Sequence, residues 1–134
     1  MWGGYFPTVL PDVVLQAGYA DVVVTGEGEE TLLDLARLNA SAPLNDLRGV
    51  AFAQADGTIR HNAPRQPPDI ESLPFPYQGG ARDMLRRHLT RTSIREAVGF
   101  EVSRGCPHRC PFCYSPDFHQ GLRVKSPAKV ASEL

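Results

Sequence analysis

Cys106, Cys110 and Cys113 fall within eight residues, in the run Gly105-Cys106-Pro107-His108-Arg109-Cys110-Pro111-Phe112-Cys113, and are the only cysteines of the chain. Their C-x3-C-x2-C spacing puts three thiolates on one short loop. Such a loop can hold three irons of a [4Fe–4S] cube and leave the fourth iron open to a small molecule; cysteine clusters at other spacings hold other clusters or metals. An open iron makes a site for chemistry rather than for electron storage alone. An odd cysteine count this tightly spaced argues against a disulfide framework. Exposed thiols persist in a reducing compartment, so a cytoplasmic location is expected.

The competing reading is a structural zinc site. Zinc takes four ligands, and its cysteines usually come as C-x2-C with a distant second pair. Cys110 and Cys113 form one such pair, and the chain has no second. His108 lies inside the loop and is badly placed to close on the same metal. His119 is the better fourth ligand. Of the two readings the cluster is the stronger.

The elements that must position this loop are read from the rest of the chain. Its 134 residues, 42% hydrophobic and 22% charged, suit one modest globular domain. No apolar run approaches the roughly 20 residues that span a bilayer, and Met1-Trp2-Gly3-Gly4 does not begin a signal peptide. Charge divides unevenly: residues 1–63 carry three basic and eight acidic side chains, residues 64–134 eleven and seven. Two structural units are expected from that asymmetry. The basic half reads as a solvated arginine-rich helix at Arg82–Arg95 rather than a nucleic-acid surface, because it lacks interleaved stacking aromatics.

Met1–Gly4 reads as a strand end entering a Gly-Gly turn. Val9, Leu10, Val13, Val14 and Ala17 recur at helical spacing, with Pro11 and Asp12 as a start and Gly18 as a stop. Asp21–Val24 is a β-branched run of the kind found in buried parallel strands. After the turn Thr25–Glu30, a helix is expected over Thr31–Leu38 with Leu32, Leu35, Ala36 and Leu38 on one face and acidic residues at its start. The alternation indicates an α/β layer. Val50–Ala53 and Thr58–Asn62 flank Ala55-Asp56-Gly57, a hairpin signal. Residues 63–80 hold five prolines and two glycines, a strap whose Ile70, Leu73 and Phe75 should pack on something. A helix is expected at Arg82–His88 and a strand at Val98–Val102 leading into the cysteine loop. Ser126-Pro127 should cap and open a helix running to Leu134. The unpartnered first strand and the unfinished last unit are what a fragment would show.

The segment Glu101–Cys113 resembles the signature of the radical S-adenosylmethionine (SAM) superfamily, in which this cysteine loop follows the first strand of a (βα) barrel. The resemblance implies that Cys106, Cys110 and Cys113 ligate three irons and that SAM chelates the fourth. It further implies reductive cleavage of SAM to a 5′-deoxyadenosyl radical that abstracts hydrogen; the protein positions the cofactors that do this chemistry. It places Phe112 near the SAM adenine, although an aromatic there could also cap the loop against the core. Gly105 allows a tight turn, and Tyr114, Asp117, Phe118 and His119 could shield the cluster.

Residues 1–40 resemble the C-terminal part of a cobalamin-binding Rossmann-like domain, on Trp2-Gly3-Gly4, Pro7-Thr8, Pro11 and Asp21–Glu29. That resemblance puts the backbone of Gly3 and Gly4 against the cobalamin nucleotide tail, as glycine turns do at other nucleotide sites, and lets Glu27 line the cofactor or an interface. Gly26-Glu27-Gly28-Glu29 lies upstream of the cysteines, so it is a strand-to-helix turn and not the barrel's own SAM-binding motif. No D-x-H-x-x-G segment, the usual source of a lower-ligand histidine, is present.

The expected fold is therefore α/β. Residues 1–40 are the end of a cobalamin-binding domain, 41–97 a hairpin, proline-rich linker and helix, and 98–134 the start of a radical SAM barrel. A full barrel takes on the order of 200 residues or more, so substrate contacts are missing and the isolated chain should be inactive. The implied enzyme would use a [4Fe–4S] cluster, SAM and cobalamin for methyl transfer or related radical chemistry. It would act on a small-molecule substrate with a one-electron reductant such as flavodoxin or ferredoxin. The rivals are a methylthiotransferase-like enzyme, disfavoured because residues 1–105 hold no cysteine for a second cluster, and a non-enzymatic zinc module. His61, His88 and the arginines form no constellation.

Overall fold

The computed structural model describes residues 1–38, 42–75 and 100–133. The helix expected at Arg82–His88, the arginine-rich stretch to Arg95 and the first residues of the strand expected at Val98–Val102 lie outside them. The chain forms two compact units, Met1–Pro68 with Gly105–Leu122 and Asp69–Arg104 with Arg123–Leu134. The expected three-part division at residues 40 and 97 follows different lines: one sheet runs through both sides of residue 40.

That sheet has four strands in the order β1 (Trp2–Gly3), β2 (Val22–Val24), β3 (Val50–Ala53) and β4 (Ile59–His61). β1 and β2 are parallel, Gly3 opposite Val24; the other pairs are antiparallel. The hairpin β3–β4 turns where Asp-Gly predicts it. Gly57 takes φ +83°, and the Asp56 carboxylate accepts the Thr58 hydroxyl and N–H. The hydroxyl, more than the amide, holds the Asp56 pKa below its ordinary value.

Between β1 and β2 lie two short helices, α1 (Tyr5–Val9), which was not expected, and α2 (Pro11–Gln16), which starts at Pro11 as expected. Pro11 separates them. Its ring disfavours helical backbone at the preceding residue, and Leu10 sits at φ −128°, ψ 56°. α2 buries Val14 and Leu15 against Val23 and Ala51, the core of this unit. α3 (Glu29–Arg37) starts on two glutamates and ends on an arginine, as its dipole favours. Its inward face differs from the expected leucine stripe: Leu32 and Ala36 are exposed, and Thr31 is fully buried. Thr31 donates its hydroxyl to the Arg48 carbonyl. Gly49 leaves only room for that hydroxyl, since a Cβ there would stand 2.8 Å from Thr31 Oγ1. This polar anchor rotates the helix away from its apolar stripe.

The second unit holds β5 (Ser103–Arg104) paired antiparallel with β6 (Arg123–Val124), and α5 (Pro127–Glu133). The described part of the strand expected over Val98–Val102 lies before β5 rather than in it, because the pairing with β6 begins at Ser103 and reaches back only as the Lys125 N–H to Val102 carbonyl bond. Ser126 caps α5 as expected, accepting the Lys129 N–H. The strap does pack: Ile70 is buried, Glu71 accepts from the Ser126 N–H and hydroxyl, and Lys129 donates to the Leu73 carbonyl.

Buried Glu133 closes this unit on Lys125 at 2.7 Å, with Lys129 at 3.2 Å. Lys125 chiefly, as hydrogen-bond donor, lowers the Glu133 pKa from its ordinary 4.5. A lowered carboxylate pKa stabilises the fold above the unfolded value and loses that contribution as pH falls through the folded one. We expect E133Q to be less stable than the native chain at neutral pH and the two to converge below about pH 4.5. Urea midpoints across that range measure it; a gap that persists at pH 3 would contradict the role of the charge. Among the described residues no helix is long and apolar enough to cross a membrane.

Candidate functional site

Two glycine turns meet at the carboxyl ends of the parallel pair β1 and β2, where open α/β sheets bind ligands. Gly3 and Gly4 leave β1; Thr25–Gly28 leave β2. Thr8 joins them, donating its hydroxyl to the Gly4 carbonyl at 2.7 Å and accepting the Gly26 N–H at 3.0 Å. Gly4 has φ +99° with nothing within 4 Å of where a Cβ would point. Its backbone is open to an approaching group, and a side chain there would strain the turn.

The cysteine loop belongs to the same compact unit. The chain enters it at Gly105, φ +84°, the tight turn expected there. It leaves through α4 (Ser115–His119), Gln120 in left-handed backbone and Gly121. These two ends touch. A Cβ on Gly105 would lie 1.9 Å from the Gly121 carbonyl oxygen and 3.1 Å from His119 Cβ, so residues 105 and 119–121 form a neck and the cysteines the loop beyond it. Cys106 and Cys113 are half-buried and Cys110 exposed, all as free thiols. The Cys113 N–H donates to the Cys110 carbonyl at 3.0 Å. A cavity of about 520 Å³ opens beside Cys106, lined also by Arg109, Asp117 and Gln120. That volume is in the range of small-molecule sites.

Among the described residues, no group of three or more His, Cys, Asp or Glu side chains converges on one metal position. The fit of the loop to a cluster therefore rests on its donor set: three free thiols on one loop. His119, the candidate fourth zinc ligand, is engaged elsewhere. Its Nδ1 lies 2.6 Å from Glu27 Oε1 and its Nε2 lies 2.7 Å from the Tyr5 hydroxyl. Tyr5 in turn stacks on Phe118, centroids 4.2 Å apart. Phe118 is thus a packing residue, and Tyr114 is partly exposed. Phe112 is 90% exposed; it does not cap the loop against the core and does not line the cavity. His61 pairs with Asp12 on the surface at 2.8 Å, a contact worth little. The sequence gives no local sign that Glu27, Tyr5 and His119 meet.

No family model matches the chain. It is 33% identical over its whole length to the anaerobic magnesium-protoporphyrin IX monomethyl ester cyclase of Synechocystis sp., covering 26% of that protein. It is 29% identical over 98% of its length to the 4′-phospho-dehydrooxetanocin synthase of Priestia megaterium, covering 17%. In structure it matches the cobalamin-dependent SAM radical enzyme OxsB, solved with aqua-cobalamin and SAM bound, with a TM-score of 0.72 and 22% identity, over 98% of this chain and 17% of that one. The chain spans about a quarter, or less, of the length of the curated relatives it matches. Over its whole length the chain is similar to a segment of the anaerobic magnesium-protoporphyrin IX monomethyl ester cyclases, and it shares its fold with a segment of OxsB.

Proposed function

We propose that this chain is the part of a cobalamin-dependent radical SAM enzyme that joins the glycine turns of the cobalamin-binding fold to the cysteine loop of a [4Fe–4S] cluster at the start of a (βα) barrel. The reaction is methyl transfer or a related radical rearrangement or cyclisation of a small molecule, driven by an external one-electron reductant such as flavodoxin or ferredoxin. One observation carries this reading: a loop with three free thiols sits in the same compact unit as two glycine turns at the ends of parallel strands. Cys106, Cys110 and Cys113 would hold a cluster that, when bound, would supply the electron for reductive cleavage of SAM.

The residues of the chain have three tasks in that reading. Cys106, Cys110 and Cys113 ligate iron. Gly3 and Gly4 let the backbone approach the cobalamin tail, and Thr8 holds that turn to Gly26. The cavity beside Cys106 receives SAM, and the exposed ring of Phe112 is free to cover its adenine once the loop closes on a ligand.

Anaerobic reconstitution of the chain with iron and sulfide tests the reading. The reduced protein should show a cubane EPR signal that shifts when SAM is added. Zinc at one per chain without iron or sulfide would defeat it. Turnover of SAM by these 134 residues alone is not expected, because the remaining barrel strands would have to enclose the cofactor.

A further inference from the structure

His119 closes the cysteine loop at its neck, and its ring reaches outside that loop in two directions. On the loop side its Cβ lies 3.1 Å from where a Cβ of Gly105 would stand, and Gly105 precedes Cys106. On the other side Nδ1 lies 2.6 Å from Glu27 Oε1 and Nε2 lies 2.7 Å from the Tyr5 hydroxyl. These partners belong to the two glycine turns. Glu27 follows Gly26, whose N–H donates to the Thr8 hydroxyl. Tyr5 follows Gly4, whose carbonyl accepts from that same hydroxyl. One imidazole therefore joins the neck of the loop to both turns. The Glu27 side chain is 3% exposed and that of His119 16%, and hydrogen bonds shielded from water are the stronger ones. The Tyr5 ring stacks on buried Phe118, the residue before His119, with centroids 4.2 Å apart. The joint holds for the neutral and the protonated ring alike, because a hydroxyl can donate to Nε2 or accept from it.

We infer that His119 is a positioning residue that couples the three thiols to the two glycine turns, so that a metal bound at the loop orders the turns. The path is a chain of contacts. A metal fixes the cysteines, the cysteines fix the neck, and the neck fixes His119 against Glu27 and Tyr5. Such a coupling is reciprocal, so a group that orders the turns tightens the metal site by the same factor. This role presupposes the proposed metal loop, because without a bound metal the thiols have nothing to transmit.

Cadmium(II) alone, added to the metal-free reduced chain, loads the thiolates without iron chemistry. Amide exchange then reads the turns at two positions: the Thr8 N–H, bonded to the Gly4 carbonyl at 3.1 Å, and the Gly26 N–H, bonded to the Thr8 hydroxyl at 3.0 Å. In the native chain cadmium should slow exchange across 105–122 and also at Thr8 and Gly26, there by about fivefold or more, the lower end of ordinary couplings between sites. H119A should still bind cadmium and protect the loop, with no response left at Thr8 or Gly26. A purely structural histidine would lower protection equally with and without metal and leave the response intact, which would overturn the role. H119N gives a conservative rescue: its side-chain amide can donate to Glu27, so part of the Gly26 response should return. If H119A fails to fold, as exchange in β2, β3 and β4 would reveal, Y5F decides. It keeps the stack on Phe118 and removes one hydroxyl, and it should weaken the Thr8 response more than the Gly26 response; an unchanged Thr8 response would overturn the role. Cadmium bound with silent turns in the native chain sinks the coupling and leaves the proposed function standing. Thiols that take up no cadmium sink the metal loop, and the coupling with it.

Discussion

Gly105→Ala should open the neck of the cysteine loop. Two costs act together at this position. The backbone stands at φ +84°, where an L side chain is strained, and the new Cβ would lie 1.9 Å from the Gly121 carbonyl oxygen and 2.9 Å from its carbon. The colliding atoms are main chain, so no rotamer change relieves the overlap. Strain and overpacking each cost on the order of 1–3 kcal/mol. Gly57→Ala supplies the control: its φ is +83° and nothing lies within 4 Å of the added Cβ, so it bears the backbone cost of about 1 kcal/mol alone. The difference between the two variants isolates the neck. We expect G105A to lose amide-exchange protection across 105–122 and to take up less iron, with β2, β3 and β4 as protected as in the native chain. G57A should perturb only the hairpin. Equal effects of the two substitutions on the loop would mean that Gly105 and Gly121 do not meet in solution.

The neck also marks where sequence reading stops. Local chemistry announced the local elements: Val22-Val23-Val24 as a buried strand, Asp56-Gly57 as a hairpin turn, and Ser126-Pro127 as a cap and helix start. Each depends on residues within one turn or strand of one another. Where a tertiary partner decides, the local pattern misled. The leucine stripe of α3 predicted the wrong inward face, because the Thr31 hydroxyl found the Arg48 carbonyl 17 residues away. The helix start at Pro11 was legible, since proline restricts the residue before it; the short helix Tyr5–Val9 ahead of it was not.

The site shows the same division. The glycines were visible as glycines, but not the hydroxyl of Thr8 that ties one turn to the other across 18 residues. The contacts of His119 span 92 residues to Glu27 and 114 to Tyr5, and no spacing rule reaches that far. Reading His119 from its neighbourhood made it a candidate zinc ligand. Its long-range partners give its ring nitrogens other work.

Serine at Cys106, Cys110 or Cys113, one at a time, should abolish cluster assembly while leaving the fold intact. Cys110 is exposed and the other two are half-buried, so the swap of sulfur for oxygen removes little packing, and the stability change should stay within about 0.5–1 kcal/mol. The metal consequence is of another size. A cube held by three thiolates loses one of its three protein ligands with each substitution. Native chain should carry about four irons and four sulfides; each single variant should carry almost none, and the three should fail alike. A zinc module would behave differently. With His119 and two remaining thiolates it would keep three of four ligands and retain measurable zinc. Metal and sulfide content of the three variants beside the native chain, with a urea melt of each to confirm folding, separates these cases. Graded losses or retained zinc would place His119 in the coordination sphere after all, and the equal failure of all three assigns the loop to iron.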